Sequence, residues 1–214
     1  MGTRDHKIMR NTRRHGSPRL FHDSRKLRVG LIGGSFNPAH SGHLHTAHLA
    51  RRMLKLDEVW FLVTPQNPLK SHVGMASLEK REQSAQVIAA GDQFVKVISP
   101  ETAFRSNYTY KTLDFLKKMA PRINFTWIMG ADNLVQFFAW EHWRRIKYAM
   151  PIAVIDRPGY SYPAISAGRK LKSRRLTAGR LASRGKNQTL NLPFWCFIAG
   201  RRHHASATAL RALQ

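Results

Sequence analysis

Short apolar runs alternate with amphipathic stretches along most of this chain, and the alternation predicts its elements. The run that starts at Leu27 (Leu-Arg-Val-Gly-Leu-Ile) predicts a buried strand feeding a tight turn at Gly33-Gly34. Leu44, Ala47, Leu49, Ala50, Met53 and Leu54 then predict a helix over 41–56, with Ser41 near its N-cap. Strands are predicted over 59–63, 95–98, 125–129, 149–155 and 194–198, and helices over 78–90 and 109–119. Proline and glycine close several of them: Pro65, Pro100, Pro121, Gly130 and the turn Arg157-Pro158-Gly159. Strands separated by helices in this way require right-handed β-α-β crossovers. The predicted fold is therefore α/β, an open, doubly wound, Rossmann-like parallel sheet forming a single domain over 27–214.

Two segments fall outside the alternation. Residues 1–26 are polar and basic, without apolar periodicity, and read as a flexible leader. Residues 168–186 are dense in Lys, Arg and small side chains and read as a mobile basic loop or a short basic helix. They share a strong charge bias: 36 Lys and Arg against 12 Asp and Glu give +24, and no acidic residue occurs from Arg157 to Gln214. Such a balance is read either as solvated tails on a protein that handles negatively charged phosphates or as an RNA-binding surface formed by the basic tails, and the first reading is preferred. The single cysteine, Cys196, excludes an internal disulfide and a cysteine-held zinc knuckle. No apolar run reaches the roughly 18–20 residues of a membrane span, and the basic N-terminus lacks the apolar stretch of a secretory signal. A cytoplasmic protein with no membrane partner is expected, and nothing in the sequence sets its oligomeric state.

The densest chemistry follows the first predicted strand, in Gly33-Gly34-Ser35-Phe36-Asn37-Pro38-Ala39-His40-Ser41-Gly42-His43. Two glycines stand where backbone approaches a ligand, and two imidazoles stand at the start of the next helix. Helix-start N–H groups and the positive end of the helix dipole suit phosphate, and open α/β sheets bind ligands beyond the carboxyl ends of their strands. Gly33-Gly34 is not the GxGxxG pattern of dehydrogenase cofactor sites. His40, His43, His45 and His48 also admit a metal cluster, although no cysteine or nearby carboxylate joins them, and no metal ligand is assigned.

The pattern Gly34-x-Phe36-x-Pro38-x-His40-x-Gly42-His43 resembles the signature of the HxGH nucleotidyltransferase superfamily. The resemblance implies attack by an acceptor phosphate on the α-phosphorus of a nucleoside triphosphate, with pyrophosphate leaving. It makes His40 and His43 the catalytic pair and Gly33, Gly34, Ser35 and Phe36 part of the ATP site, with Mg²⁺ carried on the ATP phosphates. Displacement of this kind depends on alignment and charge neutralisation, so no covalent nucleophile is needed. Ser206-Ala-Thr208-Ala-Leu-Arg211 resembles the superfamily's second motif, in which a capped helix start and an arginine meet the phosphates. Ala205 replaces its usual isoleucine. Lys70 matches a loop whose basic residue reaches the same phosphates.

Two further segments are similar to the nicotinate mononucleotide adenylyltransferase family. They are Gly130-Ala-Asp132-Asn-Leu134, continuing through Phe138 to Trp140 and Trp143, and Asn107-Tyr108-Thr109-Tyr110-Lys111-Thr112-Leu113, where Lys111 replaces a common aspartate. That resemblance implies an acceptor site of Tyr108, Thr109, Asp132, Trp140, Glu141 and Arg157. Asp132 would accept from ribose hydroxyls, Trp140 would offer a flat face to a pyridine ring, and backbone near Thr109 and Glu141 would receive the carboxylate. Arg157 would meet the acceptor phosphate or stand solvated. Trp143 and one of Phe137 and Phe138 read as core. The implied partners are ATP and nicotinate mononucleotide. The superfamily signature alone also admits nicotinamide mononucleotide or phosphopantetheine, and the charge alone admits an RNA-binding protein.

Overall fold

The computed structural model describes residues 26–64, 74–98, 108–183 and 193–200. Within these, β1 (Arg28–Gly34) leads to α1 (Ser41–Leu54), β2 (Glu58–Val63), α2 (Leu78–Ala89) and β3 (Val95–Ile98). The second half runs α3 (Thr109–Met119), β4 (Asn124–Gly130), α4 (Ala131–Gln136), a 3₁₀ turn (Phe137–Ala139), α5 (Trp143–Ala149) and β5 (Ile152–Ile155). It closes with α6 (Ser161–Lys170), β6 (Arg174–Leu176), α7 (Ala178–Ser183) and β7 (Phe194–Ile198).

All described strand pairs are parallel, in the order β3-β2-β1-β4-β5-β7-β6. The chain winds outward from β1 to β3, then restarts at β4 on the other side of β1. The crossovers on either side of this switch point part, which leaves a crevice beyond the carboxyl ends of β1 and β4.

Strands buried on both faces explain the near-continuous apolar runs, and every residue of β2 is buried. Alternation sorts them into two cores. Leu31, Trp60, Leu62 and Trp127 pack with Leu113, Leu116, Phe137 and Ile146 on one face. Ile32, Phe61, Val63 and Ile128 pack with Ala47, Ala50 and Leu54 of α1 on the other. Each fully buried Leu or Phe contributes about 1.5–3 kcal/mol of transfer free energy.

The sequence reading assigns no helix to α4, α5 or most of α6, and the structure departs from it in two further places. The strand expected over 149–155 begins only at Ile152, because Ile146 and Ala149 are buried on α5 and Pro151 has no N–H to pair. The basic segment expected as a loop or short helix over 168–186 carries instead the end of α6, the strand β6 and the helix α7. Its sparse apolar residues decide this: Leu171, Leu176, Ala178, Leu181 and Ala182 are buried, while Arg169, Lys170, Lys172, Arg174, Arg175 and Arg180 stay exposed. Gly168 belongs to the same packing, since a Cβ there would come within 2.2 Å of the Trp195 ring. Arginines on the edge strand β6 also oppose edge-to-edge pairing with other chains. Among the described residues, no helix is long and apolar enough to cross a membrane.

Candidate active site

The loop from β1 to α1 forms one wall of the crevice. Gly33 is required here by packing, because a Cβ would lie 2.3 Å from the Trp127 ring. At Gly34 a Cβ would meet only the Phe36 ring, at 3.4 Å. Phe36 takes a left-handed backbone (φ 47°) and buries its ring against Phe61, 5.1 Å away, and His43, 4.7 Å away. A non-glycine residue holds that conformation only where its surroundings enforce it.

Ser41, expected near the cap of α1, is its exposed first residue; His40 is the N-cap. Nδ1 of His40 accepts from the amide of Gly42 at 3.1 Å, and Nδ1 of His43 accepts from the amide of His40 at 3.2 Å. The two rings thus act as a capping box built from imidazoles, 4.0 Å apart between centroids. A nitrogen that accepts an amide proton carries a lone pair, so each ring holds its own proton on Nε2. Both side chains are fixed as Nε2–H donors at a helix N-terminus, which is the arrangement that growing negative charge on phosphate oxygens needs. Their Nδ1 atoms, already engaged by backbone, are unavailable to a metal. Among the described residues no three His, Cys, Asp or Glu side chains group as a metal site.

The facing wall comes from β4 and β5. Gly130 caps α4, whose first turn carries Asp132, and β5 delivers Arg157 just beyond Ile155. Asp132 Oδ1 lies 3.3 Å from Arg157 Nε, an ion pair without hydrogen-bond geometry. At Gly130 a Cβ would come within 2.3 Å of Asp132 Oδ1 and 2.7 Å of Arg157 Nε, so a larger residue there would displace this pair. Trp140 packs its half-buried ring edge-on to Trp127 and Phe137, at 6.4 and 5.4 Å between centroids. Asp132 Oδ1, Trp127 Nε1 and Trp140 Nε1 are buried and have no hydrogen-bond partner among the described residues. Buried polar atoms are nearly always partnered, so Asp132 Oδ1, at the mouth of the crevice, is placed to accept from a ligand.

Residues 31–213 match the family model described as cytidylyltransferase-like. A probable nicotinate-nucleotide adenylyltransferase of Methylorubrum extorquens is 44% identical over 187 residues, covering 86% of this chain and 99% of that protein. The chain belongs to the nicotinate-nucleotide adenylyltransferase family. A second relative so named, from Brucella suis, is 42% identical over 190 residues, covering 88% of this chain and 96% of that one. The same fold recurs in the Plasmodium falciparum nicotinic acid mononucleotide adenylyltransferase complexed with NaAD, with a TM-score of 0.63 at 15% identity, covering 87% of this chain and 83% of that one.

Of the family residues named from sequence, the structure brings Gly33, Gly34, Ser35, Phe36, His40, His43, Asp132, Trp140 and Arg157 to the carboxyl ends of β1, β4 and β5 and the segments that follow. Tyr108 and Thr109 begin α3, with Tyr108 exposed as its N-cap and its ring 5.9 Å from Tyr110. Glu141 is exposed and pairs with His142 at 3.2 Å. Phe137 is fully buried and Trp143 packs partly buried on it, as the core reading had it. Lys70, Ser206, Thr208 and Arg211 lie outside the described residues; the last described residue, Gly200, lies against Leu49 of α1.

Two residues escaped the sequence reading. Trp127 reads from sequence only as part of a strand, and the lack of a partner for its N–H among the described residues is visible only in three dimensions. Arg81 did leave a signal: with Ala85 and Ala89 it occupies the buried stripe of α2, at positions where an arginine is out of place.

Proposed function

We propose that this chain transfers the AMP moiety of ATP to nicotinate mononucleotide, releasing pyrophosphate and forming nicotinate adenine dinucleotide for NAD biosynthesis. The observation that carries the reading is the imidazole pair, held by its own helix as two Nε2–H donors at the β1/β4 switch point. A phosphate oxygen of the mononucleotide attacks the α-phosphorus, the bond from that phosphorus to the bridging α–β oxygen breaks, and pyrophosphate departs with the electron pair. No proton acceptor or covalent adduct on the protein is required. His40, His43 and the helix-start amides stabilise the charge that builds on the phosphate oxygens.

Gly33, Gly34, Ser35 and Phe36 line the ATP side, with Lys70, Ser206, Thr208 and Arg211 assigned to the same phosphates on their motifs. Asp132 and Arg157 face the acceptor's ribose and phosphate, Trp140 its pyridine ring, and the backbone near Tyr108-Thr109 and Glu141 its carboxylate. Mg²⁺ fits this donor set only as an ion carried on ATP, held by phosphate and water, where it neutralises charge on the triphosphate. We assign the activity to the cytoplasm, in keeping with a lone buried cysteine and soluble nucleotide substrates.

Pyrophosphate release by the purified chain with ATP and each acceptor in turn tests the reading. Turnover is expected with nicotinate mononucleotide at a kcat/KM well above that with nicotinamide mononucleotide or phosphopantetheine. Preferred turnover of either alternative would reassign the acceptor.

A further inference from the structure

Helix α2 supplies no member of the site described above, yet it and the turn before it hold the β1–α1 loop at four points. The Arg81 side chain, 3% exposed, donates through Nη1 to the carbonyls of Ser35 at 2.7 Å and Thr64 at 2.6 Å, and through Nε to that of Ala76 at 3.1 Å. Ser84 Oγ accepts from the amide of Ala39 at 3.0 Å. Asn37 reaches back, donating to the carbonyl of Gly74 at 2.9 Å and accepting from the amide of Ala76 at 3.1 Å. Thr64, held by Arg81, itself donates through its amide to the Gly34 carbonyl at 2.9 Å. Gly34, Ser35, Asn37 and Ala39 are therefore each tied, and the chain passes directly from Ala39 into His40.

From this network we infer that Arg81 is a positioning residue for the nucleotide, acting through the backbone of the β1–α1 loop. A trans peptide sets its N–H opposite its C=O, so a Ser35 carbonyl turned to Arg81 turns the Phe36 N–H away from it. That N–H makes no hydrogen bond among the described residues. It sits between Gly34 and His40, where a phosphate oxygen would accept it. The left-handed backbone of Phe36 lies between Ser35, whose carbonyl Arg81 holds, and Asn37, whose side chain is tied to Gly74 and Ala76, and such a backbone persists where its surroundings enforce it. Arginine suits the task because one planar head reaches three carbonyls in fixed directions, whereas lysine offers a single point of donation.

The inference rests on ATP being the nucleotide bound, as proposed above, and predicts a split between substrates. Full-length Arg81→Met keeps the apolar stem and loses every donor; Arg81→Lys keeps the charge. For Arg81→Met, calorimetric ATP affinity should fall at least about tenfold and KM for ATP rise in parallel, the scale of losing several charge-assisted hydrogen bonds. KM for nicotinate mononucleotide should stay within about twofold, and Arg81→Lys should fall between wild type and Arg81→Met. Lys80→Met, which removes the exposed neighbouring charge, should leave ATP affinity unchanged. If Arg81→Met does not fold, Arg81→Lys and Ser84→Ala carry the test, each weakening ATP binding selectively. Unchanged ATP affinity in folded Arg81 variants, even with a lowered melting temperature, would overturn the inference and leave Arg81 a structural tie. Equal loss for both substrates, or an equal effect of Lys80→Met, would overturn it as well. Were the wild type to bind ATP but not turn over nicotinate mononucleotide, the acceptor would be wrong while the calorimetric comparison still decided Arg81.

Discussion

His40 combines two tasks that a substitution can separate. Its Nδ1 caps α1 through the amide of Gly42, and its Nε2 carries the proton proposed to reach the nucleotide. Asparagine is a strong N-cap residue but places no donor where Nε2 stands. His40→Asn should therefore lower kcat by about 10²–10³, the usual effect of losing one oxyanion donor. Its loss of stability in urea should stay below the ~1 kcal/mol that follows removal of a cap. An intact kcat would make the residue a cap and nothing more. Trp140 divides in a similar way, since its ring rests on Phe137 and Trp127 while its N–H lacks a partner. Trp140→Ala should raise KM for nicotinate mononucleotide about 3- to 10-fold, the scale of one aromatic stacking contact, with a smaller change for ATP. Equal changes in both constants would mean that the ring serves only the core.

At the scale of elements, β7 carries a group whose titration reports on its burial. Burial in the sheet pushes the Cys196 thiol up to about 12, against a weaker downward pull from Arg175. The folded chain therefore keeps a proton that the unfolded chain releases above its usual thiol range of about 8.5. This contribution to stability is complete below that range and is lost as pH rises toward about 12. Unfolding free energy should decline over that window, and Cys196→Ala should decline less steeply; identical slopes would refute the burial account. The strands and helices that could be read from sequence were those with dense apolar periodicity, such as β1, β2 and α3. β6 is not legible, and the short helix α7 is only one of two alternatives, because Leu171, Leu176 and Leu181 are isolated among cations, and the partners that bury them, such as Trp195, lie elsewhere in sequence. The site was legible where a motif fixes spacing, as from Gly34 to His43. It was not legible where contact depends on tertiary approach, as with Arg81 and Trp127.

Across the whole molecule, the chain carries a net charge of +24, and its proposed substrates are both anions. A field of that sign raises the local concentration of anionic substrate and weakens as salt shortens the screening length from about 10 Å at 0.1 M to about 3 Å at 1 M. kcat/KM for Mg²⁺-bound ATP and that for nicotinate mononucleotide, both carrying about two negative charges, should each fall several-fold between about 0.05 and about 0.5 M salt. A kcat/KM independent of salt for both substrates would mean that the charge does not act on this reaction. The proposed joining of AMP to nicotinate mononucleotide draws on this charge, the imidazole pair and the β4–β5 wall together. Its most direct test is to separate and quantify the products formed from ATP and nicotinate mononucleotide. The account predicts nicotinate adenine dinucleotide and pyrophosphate in equal amounts from the wild type, and neither above background from His43→Ala. ATP consumption without dinucleotide, or undiminished dinucleotide formation by His43→Ala, would contradict it.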